Sequence, residues 1–178
     1  MMKLVQSLAL LLFTILCSTA SLANDRDQSN DVLTQAIIDI LQAIDTPNIT
    51  RRAMMNSFAQ DTSGNITDEF ANCVNDHLTD EILYDMFIPV YKSNLDRNTA
   101  VRLSEFFKSE TGKKFSIIVR IQTGEDLPMP DMTAEDMQVY SQHENDILSL
   151  GNEQLVADAE AAGKEIGMQL GIECAMDK

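Results

Sequence analysis

The chain has 178 residues, of which 44% are hydrophobic, and its 28 acidic residues outnumber its 13 basic ones, giving a formal net charge of −15. A surface this acidic repels nucleic acid phosphates, which argues against DNA or RNA as a partner. The length suits one domain with a single hydrophobic core, without the metals or multiple disulfides that smaller domains need.

The N-terminus is typical of an export signal. Lys3 is the only charge before an apolar run over residues 8–16, and Ser21-Leu22-Ala23 has the small-x-small pattern of a signal peptidase site. We therefore predict a signal peptide over residues 1–23, cut between Ala23 and Asn24. The run is shorter than the ~20 apolar residues of a membrane-spanning helix, and no later segment is apolar enough to be one. The sequence thus predicts a soluble exported protein with no transmembrane segment.

Residues 24–30 are predicted to form a flexible N-terminal segment, followed by a single helical domain over residues 31–178. The first helix is indicated by apolar residues at helical spacing, and it ends near Asp45. Thr46 is the expected N-cap of a second helix, with Pro47 at its first position, where the missing N–H is harmless. The turn-forming residues 61–65 end that second helix.

Two similar start signals follow. Thr67 and Thr79 each precede a pair of acidic residues, which favour a helix N-terminus. Residues 67–95 are therefore either one kinked helix or two helices, with Pro89 disrupting the pattern near the middle.

Asn98 is predicted to cap the next helix, whose apolar face includes Leu103 and Phe106. Arg102, Glu105 and Lys108 lie on its opposite side, at a spacing that favours weak pairing with one another on a solvated surface. Residues 113–122 have only a narrow polar strip. Because a helix that is apolar nearly all round is usually buried, we expect this one to be central.

The remaining pattern is also helical. Thr123-Gly124 is expected to end the helix before it, Thr133 and Asp136 match a capping box, and Gly151 interrupts the last apolar stripe. No strand-like alternation occurs. The predicted fold is all-α, an antiparallel bundle of six or seven helices.

Cys73 and Cys174 are the two cysteines that follow the predicted signal peptide. Exported proteins usually meet an oxidising compartment, so we expect a disulfide between them. Neither belongs to a Cys-x-x-Cys pair, which favours a structural role over disulfide exchange.

Residues 84–122 resemble the domain of unknown function 2059 family of exported bacterial helical proteins. The resemblance is carried by Tyr91 in Pro89-Val90-Tyr91 and by the segment 106–114, in which Phe106, Phe107, Ser109, Gly112 and Lys113 follow the family's order and spacing. The resemblance implies a helical fold and an exported location, and no activity. Physically, Ser109 is expected to cap a new helix and Gly112 to permit a close helix-to-helix corner above the two phenylalanines. We favour this architectural interpretation over a ligand site.

The segment 92–120 is basic, with seven basic and three acidic residues in an otherwise acidic chain. It either matches acidic neighbours inside the bundle or forms an anion site. If it binds an anion, Lys113 and Arg120 are the best candidates, since they lie seven residues apart on one polar strip and Lys114 points away.

Candidate sites for other chemistry are weak. Cys73 and His77 lie four apart on one helix, but two ligands do not make a zinc site, and Met129 and Met132 offer only a loose copper-like pair. No nucleophile motif, phosphate loop or dinucleotide fingerprint occurs, so no cofactor and no catalytic residue is predicted. The sequence favours a non-catalytic protein, periplasmic or secreted, that binds another exported protein or an envelope component. The alternative is a protein that handles copper or zinc.

Overall fold

The computed structural model describes residues 30–61 and 66–176, and this part of the chain is all-α, with eight helices and no strand. They are α1 (30–43), α2 (Thr46–Ala59), α3 (Asp68–His77), α4 (Asp80–Asn94), α5 (Arg97–Lys108), α6 (Glu110–Gln122), α7 (Ala134–Ser149) and α8 (Glu153–Met176). The signal peptide, the cleavage position at Ala23 and Asn24, and most of the predicted flexible segment lie outside the described residues. Within the described ranges, no helix is both long enough and apolar enough to span a bilayer.

The predicted helix starts are largely confirmed. The side chains of Thr67, Thr79, Ser109 and Thr133 each accept a hydrogen bond from a backbone N–H of the first helical turn. Such bonds satisfy donors that a helix start otherwise leaves unpaired. Because Thr79 caps a helix of its own, residues 67–95 form two helices and the total exceeds the expected six or seven.

Three local predictions are corrected. The N-cap of α5 is Asp96, whose carboxylate accepts from the N–H groups of Asn98 and Thr99, so Asn98 is not the cap. The N-cap of α2 is Asp45, in a left-handed conformation, and Thr46 is already helical. Pro89 lies inside α4 and does not interrupt that helix. The break in residues 67–95 falls instead at Leu78, between α3 and α4.

The core consists of two clusters that share α4 and α8. The larger cluster gathers α1, α4 and α5 around fully buried side chains, among them Ile37, Ile40, Leu103 and Phe106. The smaller cluster joins α3, α4 and α8 through Val74, Leu78, Leu83, Leu170 and Cys174. Burial of each such side chain contributes roughly 1.5–3 kcal/mol to folding.

The expectation that residues 113–122 form a central helix is wrong. In α6 the buried residues are Thr111, Gly112 and Ser116, while Phe115 and Ile118 are only half-buried. Gly112 faces α5 because the two helices meet closely at their corner, whereas the Thr111 hydroxyl bonds Asp136 of α7. Phe115 packs against Phe106 and Phe107 yet stays half-buried, and the fully buried side chains of the larger cluster come from α1 and α5.

The disulfide between Cys73 and Cys174 is confirmed. It links α3 to the last turn of α8 across 101 residues of sequence, with the two Cα atoms 5.8 Å apart. Cys174 is itself part of the smaller core cluster. The cross-link therefore fixes the end of α8 onto α3.

Candidate functional site

The corner between α5 and α6 is built as the motif predicts. The Ser109 hydroxyl accepts from Gly112 N at 3.0 Å and donates to Phe106 O at 2.6 Å. A Cβ at Gly112 would lie 2.6 Å from the Cα of Phe107, closer than real Cβ contacts occur. The position therefore requires glycine, because the two backbones approach too closely for any side chain.

Aromatic rings fill the space beneath this corner. Phe106 packs edge-on against Phe107 and Phe115, with centroids 5.3 and 5.9 Å away, and His143 of α7 lies 5.1 Å from it. Tyr91 belongs to the same cluster, and burial raises its pKa to about 12. These contacts give the motif residues other than Lys113 a packing role, which supports the architectural interpretation.

Most cations of the basic segment 92–120 are paired with carboxylates of other helices or loops. Arg102 donates two hydrogen bonds to Asp146 of α7 and holds the pKa of that carboxyl below its usual range. Lys108 lies 2.6 Å from Asp39 of α1 rather than pairing along its own helix as expected. These pairs match the basic segment to acidic elements around it, as the first of the two sequence interpretations requires.

Lys114 forms the most enclosed of these pairs, with a carboxylate of α7. Its Nζ lies 2.6 Å from Asp136 Oδ2, and the same carboxylate accepts from Thr133 N and from the Thr111 hydroxyl. The pKa of Asp136 lies well below its usual range because of these hydrogen bonds, the one from Lys114 first. The sequence pattern predicted only a capping role for Asp136, because its tertiary partners Thr111 and Lys114 lie 25 and 22 residues away.

Lys113 and Arg120, the candidate anion-binding pair, do not share a partner within the described part of the chain. The Lys113 side chain is 60% exposed and pairs with Glu110 of its own helix at 2.6 Å. Arg120 forms a close pair with Glu125 and a longer one with Asp45. Each cation is thus neutralised locally, and an anion site at these two residues stays a prediction.

The weak metal candidates lie in different elements. Met129 and Met132 belong to the segment between α6 and α7, and the Met129 side chain is largely exposed. His77 is the last residue of α3, beside the disulfide: its Nδ1 lies 3.7 Å from Cys73 Sγ. The methionine pair and the histidine therefore belong to separate parts of the fold.

A groove between α4 and α8 is the site that the sequence did not reveal. It encloses about 340 Å³, and its apolar lining comes from Ile82, Met86, Ile166 and Leu170. Asp85, Gln169 and Glu173 complete the lining. The sequence shows that the lining residues of each helix are three or four positions apart. It does not show that α4 and α8 face each other.

Within the described part of the chain, the two carboxylates of the groove have no basic partner. Across residues 30–61 and 66–176, no Lys, Arg or His nitrogen lies within 4 Å of the carboxylate of Asp85 or Glu173, and Glu173 accepts only from Gln169 at 3.2 Å. This contrasts with the carboxylates around the basic segment, which are paired. The groove therefore combines an apolar lining with uncompensated negative charge.

An exposed apolar ridge on α8 lies beside the groove. Met168, Ile172 and Met176 follow one another at a spacing of four, which places them on one face of the helix, and each is more than half exposed. Methionine-rich surfaces adapt to varied apolar partners. The ridge and the groove lie on adjoining sides of α8, and the ridge offers exposed apolar surface for contact with another molecule.

No family model, no curated protein and no solved structure matches this chain. The resemblance of residues 84–122 to the domain of unknown function 2059 family is therefore neither supported nor contradicted, and it stays a prediction.

Proposed function

We propose that this protein is an exported, periplasmic binding protein that holds a basic amphipathic helix of another exported protein in the groove between α4 and α8, without catalysis. The observation that carries the proposal is the groove itself, in which Asp85 and Glu173, which have no basic partner among the described residues, accompany an apolar lining. An amphipathic helix presents apolar side chains every three or four residues, which fits such a groove.

Charge complementarity decides what kind of helix fits. Lysine or arginine side chains beside the apolar stripe of the partner would reach the two carboxylates, whereas an acidic partner would meet repulsion. The net charge of −15 extends the same preference to long range, since it attracts a cationic partner before contact. The ridge of Met168, Ile172 and Met176 would add apolar contact outside the groove.

The test uses a fluorescent amphipathic peptide made only of leucine and lysine, and a twin in which glutamate replaces every lysine. Anisotropy should show binding of the first peptide, weakened by salt, and none of the second. The double variant Asp85→Asn with Glu173→Gln should weaken binding about tenfold or more. Ile172→Gln should weaken it without affecting folding, because that side chain is exposed.

Glu160→Gln is the matched control, since Glu160 is an exposed carboxylate of α8 outside the groove. It should bind the leucine–lysine peptide as the unmodified protein does. Absence of binding, or equal weakening in the control and the groove variants, would contradict the proposal. Self-association that Ile172→Gln disrupts, without peptide binding, would assign the face to a second copy and also overturn it.

A further inference from the structure

A cluster of three side chains that ligate soft metals lies where α3 meets the end of α8. Cys73 and His77 come from α3 and Cys174 from α8, and one ligand atom from each lies within 4.8 Å of the other two. We propose that, once the disulfide is reduced, these three residues bind one Zn²⁺ ion. The site is independent of the groove between α4 and α8.

The spacing suits zinc. Zinc binds thiolate sulfur at about 2.3 Å and imidazole nitrogen at about 2.0–2.1 Å in tetrahedral geometry, which places neighbouring ligand atoms about 3.4–3.8 Å apart. His77 Nδ1 already lies 3.7 Å from Cys73 Sγ. The Cα atoms of Cys73 and Cys174 are 5.8 Å apart, so rotation of the two side chains separates the sulfurs without movement of the helices.

His77 can take part once its Nδ1 gives up its hydrogen bond to the Cys73 carbonyl. Its ring is exposed, and Nδ1 lies 2.8 Å from the carbonyl oxygen of Cys73. A carbonyl oxygen only accepts, so Nδ1 carries the proton in the oxidised protein. Zinc would take the Nδ1 lone pair after the ring turns away from the Cys73 carbonyl and the proton moves to Nε2, and the exposure of the ring permits both changes.

The proposed site can bind zinc only when the disulfide is reduced. In the oxidised protein both sulfurs are used in their mutual bond, and neither is a thiolate. A phosphine reductant cleaves the disulfide. The phosphine is oxidised to its oxide with the oxygen of one water molecule, and the two hydrogens of that water convert the two sulfurs to thiols. Zn²⁺ then displaces both thiol protons, and a water molecule fills its fourth position.

The experiment uses the full chain with Cys17→Ser, so that the third cysteine contributes no thiol. The protein is titrated with Co²⁺, whose thiolate charge-transfer absorption reports sulfur ligation, and then with Zn²⁺, which displaces it. The reduced protein should bind one Zn²⁺ per chain with two protons released, and the oxidised protein should bind none. Zn²⁺ should also raise the thermal midpoint of the reduced protein, because it binds the folded state.

Variants distinguish the site from adventitious binding. His77→Ala should raise the dissociation constant for Zn²⁺ at least about tenfold, since it removes one of three ligands. Asp76→Asn, an exposed neighbour on α3, should leave it unchanged. Equal binding by oxidised and reduced protein, no effect of His77→Ala, or a thermal midpoint of reduced protein that Zn²⁺ does not raise would each overturn the proposal. These outcomes are unrelated to peptide binding at the groove.

Discussion

Lys114 and Asp136 form an ion pair at 2.6 Å that joins α6 to the first turn of α7, and the same carboxylate closes the capping box with Thr133. One side chain thus completes a helix start and a contact between helices. The arrangement explains why Asp136 is buried although it is charged: all its hydrogen bonds come from donors fixed by two helices.

The lowered pKa of Asp136 predicts a pH dependence of stability. A carboxyl whose folded pKa lies below its unfolded value of about 3.9 stabilises the fold fully above that value, and the stabilisation is lost as pH falls towards the folded pKa. Asp136→Asn should therefore lower the thermal midpoint at pH 7, and its difference from the unmodified protein should shrink below about pH 4. Thermal unfolding followed by circular dichroism from pH 7 to pH 2 checks this. A difference that stays constant with pH would contradict it.

Adjacent lysines of α6 should respond differently to charge removal. Lys114→Gln leaves the enclosed carboxylate of Asp136 without its cation, whereas Lys113→Gln removes an exposed pair within one helix. The thermal midpoint should therefore fall clearly for Lys114→Gln and hardly at all for Lys113→Gln.

A second measurement compares the thermal midpoints of the unmodified protein and Lys113→Gln with and without inorganic phosphate. If it stabilises the unmodified protein and not Lys113→Gln, Lys113 belongs to an anion site and local pairing is not its main role.

A comparison of two glycines tests the corner between α5 and α6. Gly112→Ala would force a Cβ into the backbone of Phe106 and Phe107, so we expect a loss of about 3 kcal/mol or more in unfolding free energy. Gly163→Ala is the control, because open space surrounds that position inside α8. It should stabilise by about 0.5–1 kcal/mol through helix propensity. Chemical denaturation measures both, and equal effects would show that the close approach does not constrain the fold.

The sequence was informative where structure depends on neighbours in the chain. Thr67, Thr79 and Ser109 cap helices through bonds to residues three positions on, and such signals need no tertiary knowledge. The centre of the bundle was misassigned to residues 113–122 because apolar content does not show which face packs. Gly112 makes the close contact with α5, and Phe115 packs on Phe106 and Phe107 while it stays half-buried.

The groove between α4 and α8 was even less predictable from the sequence. Asp85 and Glu173 lie on helices far apart in the sequence, and nothing in either helix indicates that the two carboxylates line one groove. The partners of Arg102 and Lys108 were hidden for the same reason, since Asp146 and Asp39 come from α7 and α1. The disulfide was predictable because the expected mature chain holds only two cysteines.

Removal of the disulfide should destabilise the protein, because this cross-link joins α3 to the last turn of α8. Closing a loop of 101 residues restricts the unfolded chain, so the double variant Cys73→Ser with Cys174→Ser should lose about 2–5 kcal/mol of unfolding free energy. The loss should concentrate in the smaller core cluster, where Cys174 packs near Leu170, and spare the start of α8 at Leu155. Hydrogen exchange resolves this: amides near Leu170 should exchange faster in the variant, while those near Leu155 keep their protection. Uniform acceleration along α8 would mean that the cross-link stabilises the whole bundle, and an unchanged unfolding free energy would mean that packing alone holds the end of α8 in place.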